Sequence, residues 1–266
     1  MKIGLNGGGF GHAFSTTNWK KPKTEFEWSV DTVQDCTFYI DASIKDGLNV
    51  ECKRKFGWLV ESKDIIPEAI EFVKNNHKLI SEKYEILFTH VKEIYDLEDN
   101  FLYLPPHGFW VEDPKIYQKN KLVSMVSSNK NMTIGHANRL RWVDKLRNSV
   151  DLYGRGIRNF DKKEDVLADY MFSVTIENDS YPTYWSEKIL DCFACGTIPV
   201  YYGSPDIGDY FNMDGIIVLT DDFDVSQLTL ELYNSKLEAI KDNFERTMNL
   251  EVIEDIIYNK YLKKYE

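Results

Sequence analysis

Lys188 stands beside Glu187 and two residues after Ser186, and its place in the chain calls for a chemical reason. Residues 171–212 around it read as strand, loop, helix, strand and loop. Residues 171–176 are a short apolar, partly β-branched run, as in a buried strand. Ser186 is a good N-cap, Ile189, Leu190, Phe193 and Ala194 form one apolar helical face, and Gly196 falls where a C-cap belongs. Residues 197–202 are a second strand, stopped by Gly203, Ser204 and Pro205. A helix between two such strands is a crossover, so the strands are expected to be parallel. Lys188 then sits in the helix's first turn, against the positive end of the dipole, which is mildly unfavourable. A bound anion reverses that sign, because ammonium and free N–H groups then face one negative charge. The plainer reading of a lone lysine there is a solvated surface charge.

A second strand–loop–helix unit precedes it. Residues 121–126 read as a strand, Ser127, Ser128 and Asn129 as a loop, and Leu140, Val143 and Leu146 as the apolar face of a helix beginning near Asn138. Arg139 and Arg141 would lie in its first turn. Parallel sheets bind ligands beyond the carboxyl ends of their strands. Two helix starts on one such edge can aim Arg139 and Lys188 at a single diphosphate, and the guanidinium fork suits phosphate oxygens. Glu177, Asn178 and Tyr184 share that edge.

The order FSVTIEND, YWSEKILD, GTIPVYYG resembles the donor-binding motif of the α1,3/α1,4-fucosyltransferases, glycosyltransferase family ten: F-x-x-x-x-E-N, then Y-x-T-E-K-I-x-D, then G-T-x-P-V-Y-x-G. Trp185-Ser186 replaces an apolar residue and Thr, with the hydroxyl kept. KLVSMVSSNK with NRLRWVDKL resembles the family's S-N and arginine segment, with Arg139 on the arginine. KRKFGWLVESKDIIP resembles the segment that carries the family's proposed catalytic base, with a spacing different by about one residue, and this points to Glu61. EILFTHVKEIYDLEDNFLYLPP resembles the strand–turn–strand that closes the family's first domain.

The resemblance implies an α/β protein of two Rossmann-like domains facing across a cleft, the GT-B type. It implies inverting transfer of a sugar from a nucleotide donor, with GDP-fucose the first guess, to a hydroxyl of a glycan acceptor. Glu61 would be the general base. Arg139 and Lys188 would neutralise the leaving diphosphate, so no metal or other cofactor is required for that role. Ser128 belongs to the donor-binding set. Tyr184 would donate to a phosphate oxygen, and Asn178 and Glu187 would hold ribose or sugar hydroxyls. Arg141, Arg155 and Gly203 form a second tier.

The remaining elements frame these residues. Expected strands cover 1–6, 25–30, 36–40, 56–60, 85–89 and 101–104, and a helix covers 65–75 with Pro67 in its first turn. Pro105, Pro106, Gly108 and Pro114 interrupt regular structure and mark a boundary between a domain of 1–115 and one of 116–266. Residues 150–153 and 215–219 read as strands, 163–169 as a short helix, and 225–233 as a helix capped by Asp224. Asp222 and Asp224 form a D-x-D, for which that capping role is the preferred reading over a metal site. Residues 237–266 are mostly helical, with Ile253, Ile256, Ile257 and Tyr261 on a face expected to pack across the domains. Gly7, Gly8, Gly9 and Gly11 follow the first strand without forming a clean dinucleotide fingerprint.

The 266 residues carry a formal net charge of −11, which excludes a non-specific nucleic-acid binder and docking to an anionic membrane by charge alone. There is no apolar run long enough for an integral membrane segment, and the cytoplasm is the expected location. Cys192 and Cys195 form a C-x-x-C inside the expected helix, without a second pair or a His cluster, and read as reduced thiols. Two other classes stay open: a non-catalytic nucleotide- or sugar-binding module, and a Rossmann oxidoreductase using the Gly7–Gly11 loop.

Overall fold

A computed structural model describes residues 1–7, 27–105, 108–131 and 133–265. The chain divides into two units, Met1–Pro106 with Glu251–Glu266 and His107–Leu250. Each is an α/β unit on a wholly parallel sheet.

The first sheet contains β1 (Lys2–Asn6), β2 (Glu27–Val30), β3 (Cys36–Ile40), β4 (Arg54–Leu59), β5 (Ile86–Thr89) and β6 (Phe101–Tyr103), in the order β2-β1-β3-β4-β5-β6. Its central strands are apolar on both faces, as parallel strands covered on both sides must be. Phe38, Phe56 and Phe88 stack across β3, β4 and β5, with centroids 4.8 and 6.1 Å from Phe38. Helices α1 (Ile44–Gly47), α2 (Pro67–Lys83) and α3 (Lys92–Tyr95) connect the strands. The expected end of α2 near residue 75 is a kink: Asn76 leaves helical geometry and its side chain donates to Phe72 O at 2.8 Å, after which the helix resumes. Of the Gly7–Gly11 loop, only Gly7 lies within the described residues. Its φ of +104° and the nearness of Ser43 Oγ and Ile40 O to any added Cβ require glycine there.

The second sheet contains β7 (Lys121–Val126), β8 (Asp151–Tyr153), β9 (Tyr170–Ile176), β10 (Ile198–Tyr202) and β11 (Ile217–Val218), in the order β11-β10-β9-β7-β8. Its helices are α4 (Ile134–Leu146), α5 (Glu164–Leu167), α6 (Glu187–Ala194), α7 (Leu230–Ser235) and α8 (Leu237–Asn249). The strand order reverses between β7 and β9, which makes the crevice beyond their carboxyl ends the binding position for this topology.

Three sequence expectations shift. Helix α4 starts at Ile134, not near Asn138, because Thr133 caps it by accepting the His136 N–H at 3.1 Å. Arg139 and Arg141 therefore lie in its second turn. The helix expected over 225–233 is a short 3-10 turn capped by Asp224, then α7 capped by Thr229. The boundary also differs from 115/116. Residues 108–117 belong to the second unit: Trp110 N donates to Asp191 at 2.6 Å, Lys115 N to Ala194 O and Tyr117 N to Cys195 O, with Phe109 and Val111 buried. Residues 251–266 belong to the first unit, where Ile253, Ile257 and Leu262 join the β-sheet core.

Candidate active site

A cavity of about 180 Å³ opens at the carboxyl ends of β7 and β9. Arg139, Lys163, Glu187, Lys188 and Asp191 line it, with Ser128 at its β7 edge. Arg139 and Lys188 thus reach one space from two helices, close enough for the Arg139 charge to work against the proton on Lys188.

Local structure explains how each cation arrives. Gly135, in the first turn of α4, lies against the backbone of Asn178, and a Cβ there would sit 1.9 Å from Asn178 O. Only glycine permits that approach, and it lays α4 over the end of β9. Arg139 Nη2 then donates to Ile176 O at 3.2 Å and Asn178 Oδ1 at 2.7 Å. Burial lowers the Arg139 pKa, with Glu177, Tyr184 and Glu187 working the other way.

At the start of α6, Glu177 is fully buried and accepts the Ser186 N–H at 3.0 Å and the Ser186 hydroxyl at 2.6 Å. Lys188 Nζ lies 3.0 Å from Ser186 Oγ, 3.1 Å from Glu187 Oε1 and 3.3 Å from Glu177 Oε2. Burial opposes the charge on Lys188, but Glu187 and Glu177 outweigh it and raise the ammonium pKa. Burial likewise opposes ionisation of Glu187, yet Lys188 and Lys163 hold its carboxyl at about 2. Lys163, in the turn before α5, pairs with buried Asp191 at 2.9 Å, and this pairing with Asp191 and Glu187 raises its pKa despite burial.

The loop between β9 and α6 is pinned to the loop after β10. Ser180 Oγ donates to Gly203 O at 2.7 Å, Ser204 Oγ to Tyr181 O at 3.0 Å, and the Thr183 N–H to the Asp206 carboxylate at 3.0 Å. Thr183 holds φ at +71°, a conformation a β-branched residue adopts only when its surroundings impose it. Gly203 is required by crowding, since a Cβ would lie 2.2 Å from the Tyr201 hydroxyl and 2.6 Å from Glu177 Cγ. Tyr184 is buried beside the site and stacked on Tyr181 at 5.0 Å.

The remaining candidates lie elsewhere. Arg141 is exposed and pairs with Asp221 at 2.7 Å, and Arg155 is exposed in the turn after β8. Neither lines the cavity. Glu61 is exposed in the first unit, just beyond β4. Asp222 and Asp224 are hydrogen-bonded to Thr220 and the Ser226 N–H, and among the described residues no His, Cys, Asp and Glu cluster could hold a metal. Cys192 and Cys195 are free, buried thiols, raised to about 12 and further by burial.

Sequence reasoning named Glu177 without giving it a role, and missed Lys163 and Asp191. Asp191 carried a signal: it follows Glu187 by four residues, a charged side chain on a helix otherwise apolar after its first turn. Lys163 carried none, because only the fold brings the turn before α5 to α6.

The family model for "Glycosyltransferase family 10 (fucosyltransferase) C-term" matches residues 116–248, half of the chain. Alpha-(1,3)-fucosyltransferase FucT of Helicobacter pylori is 31% identical over 145 residues, 48% of this chain and 30% of that protein. Alpha-(1,3)-fucosyltransferase B of Drosophila melanogaster is 31% identical over 101 residues, 32% of this chain and 23% of that protein. This chain therefore matches less than a third of the length of either relative. A solved α1,3-fucosyltransferase with GDP-fucose superposes with a TM-score of 0.49 at 14% identity, covering 94% of this chain and 82% of that one. Among the described residues no helix is long and apolar enough to cross a membrane. With that family model covering half of its length, and Arg139 and Lys188 gathered at one crevice, the chain belongs to glycosyltransferase family 10.

Proposed function

We propose that this chain transfers a sugar from a nucleotide-sugar donor to a glycan hydroxyl with inversion, and that the donor is GDP-fucose. The observation that carries the reading is the pair Arg139 and Lys188 lining one cavity at the strand-order reversal. The names of the family and of the relatives support fucose as the sugar, and GDP is the nucleotide that the motif resemblance implies.

In this reading the acceptor oxygen attacks the anomeric carbon and its proton passes to the Glu61 carboxylate. The bond from that carbon to the diphosphate breaks, and GDP leaves with the electron pair. Arg139 and Lys188 meet the developing charge, and their positions are already fixed by Asn178, Glu177 and Ser186, so little reorganisation is needed as it grows. Arg139 has its Nε and Nη1 donors left over from the bonds made by Nη2. Glu187, ionised and acceptor-only, suits hydroxyls of the sugar or ribose and repels phosphate.

A thermal-shift panel of GDP, UDP, CDP and NAD tests the donor. GDP is expected to raise the melting temperature and NAD to leave it unchanged; stabilisation by NAD without GDP would overturn the reading. Glu61→Gln is expected to retain GDP affinity while GDP-fucose turnover falls by about 10²–10⁴-fold, the usual worth of a general base. Unaltered turnover would remove Glu61 from that role.

A further inference from the structure

We propose that Asp41 and His90 are positioning residues for Glu61, gripping the Val60–Glu61 backbone from its N–H and its C=O sides. The inference rests on the reading of Glu61 as the base. Adjacent parallel strands β3, β4 and β5 end together, so Asp41 follows β3, Glu61 lies just past β4, and His90 follows β5. The two outer side chains reach inward to the middle strand's end.

Asp41 Oδ1 accepts the Val60 N–H at 2.8 Å. His90 is fully buried, and its Nε2 lies 3.2 Å from Val60 O and 3.3 Å from Glu61 O. Two carbonyls leave that nitrogen only the donor role, so the ring is the Nε2–H tautomer. Burial holds the ring down at about 4, so it is neutral at neutral pH and brings a hydrogen bond without a charge. The backbone leading into Glu61 is thereby held by side chains where sheet pairing has ended, while the Glu61 side chain remains exposed.

Asp41 itself holds φ at +50°. Left-handed backbone at a non-glycine residue costs on the order of 1–3 kcal/mol and concentrates at functional sites. The turn that imposes it is tied down: Ser43 Oγ donates to Asn6 O and Ile40 O, each at 2.8 Å, and Gly7 packs against it. This is the place where the first sheet's strand order reverses, between β1 and β3.

The carboxyl of Asp41 also faces a second carboxylate. Burial raises it to about 7, against the Val60 N–H, and the Glu61 charge adds to the rise. The other charged groups nearby are Lys63 and Glu93, which pair at 3.0 Å and act on His90. Like-charged neighbours titrate as a pair. The Glu61 charge therefore helps keep Asp41 protonated and neutral, and what Asp41 exerts on Glu61 is the grip of its hydrogen bond to the Val60 N–H.

The test separates that hydrogen bond from the charge. Asp41→Asn keeps the acceptor oxygen and removes the charge, whereas Asp41→Ala removes both. Asp41→Ala is expected to lower kcat for GDP-fucose hydrolysis about tenfold or more at unchanged KM, and Asp41→Asn, which keeps the acceptor, to restore it. The Val60 amide is expected to exchange at the wild-type rate in Asp41→Asn and about tenfold faster in Asp41→Ala, the loss of one hydrogen bond. Wild-type kcat in Asp41→Ala, with Glu61→Gln inactive, would overturn this inference alone. Glu61→Gln at full turnover would overturn the base reading and the inference with it.

Discussion

Lys188 has no idle proton: its three donors are shared among Ser186, Glu187 and Glu177. Around the cavity Arg139, Lys163 and Lys188 outnumber the lining carboxylates Glu187 and Asp191, with Glu177 buried behind Lys188. A diphosphate entering it must take Lys188 from Glu187, the more exposed of its two carboxylate partners. Lys188→Ala therefore does two things. It should weaken GDP binding by about 1.5–3 kcal/mol, the range for a hydrogen bond to a charged group. It also leaves Glu177 buried without its counter-ion, which costs about 2–3 kcal/mol of stability, below the range for a fully buried pair because Lys188 keeps some exposure. Glu177→Gln in the same chain should recover most of the stability and none of the GDP affinity. Isothermal titration with GDP and urea unfolding of both variants separate the two effects. If the double variant binds GDP as the wild type does, Lys188 is a structural cation. Arg139→Lys should also lose affinity, since an ammonium replaces the fork held by Asn178.

At the level of elements, the ends of β3, β4 and β5 should leave a mark in stability against pH. Asp41 in the folded chain holds its proton up to about 7, while in the unfolded chain it loses it near the ordinary 3.8. The native state binds the extra proton between those values, so this group's contribution falls as pH rises through the window. His90 works the other way. Its folded value of about 4 lies below the ordinary 6.5, so its contribution falls as pH drops through that window. The two oppose each other between about 4 and 6.5, each with a limiting slope of about 1.4 kcal/mol per pH unit, reduced for Asp41 by its partial exposure. Amide exchange of Phe38 and Phe56 reads the outcome: Asp41→Asn should lose stability on acidification and His90→Gln should gain it, with the wild type nearly flat. Parallel slopes in all three proteins would remove both groups from the balance. The strands that carry these residues were legible in the sequence because buried parallel strands are uninterrupted apolar runs. The start of α4 was missed although Thr133 is a local N-cap signal, because Gly135 in the first turn reads as a helix breaker, and only its close approach to the Asn178 backbone explains it there. The charges of the donor cavity divide the same way: Arg139 and Lys188 stand at readable strand–loop–helix junctions, whereas Lys163 joins them only through the fold.

At the scale of the molecule, the chain leaves its first unit near Pro106 and returns to it at Glu251. A break in helical geometry at Leu250, with ψ at 133°, ends α8 and begins the return. Ile253, Ile257 and Leu262 are fully buried in the core of the first sheet, where Tyr261 meets Phe88 edge-on at 5.0 Å. Buried Glu254 accepts the Trp28 indole N–H at 3.1 Å, and Tyr265 bonds Glu85 and lies under Arg54. The apolar face of 253–261 was expected to pack across the domains, and the residues do belong to the first unit, but hydrophobic spacing does not record which side chains of its core they meet. The return makes the first unit's stability depend on the last residues in the chain. Ile257→Ala should cost about 2–4 kcal/mol, the range for a large-to-small change in a filled core. The loss should fall on the amides of β1, β3 and β4, where exchange should speed up. The amides of β9 and β10, in the unit with its own core around Phe172 and Val200, should keep wild-type protection, and GDP affinity should be unchanged. Equal losses of protection in both sheets would mean that the two cores unfold as one, and the division at 106 and 251 would then have no thermodynamic content.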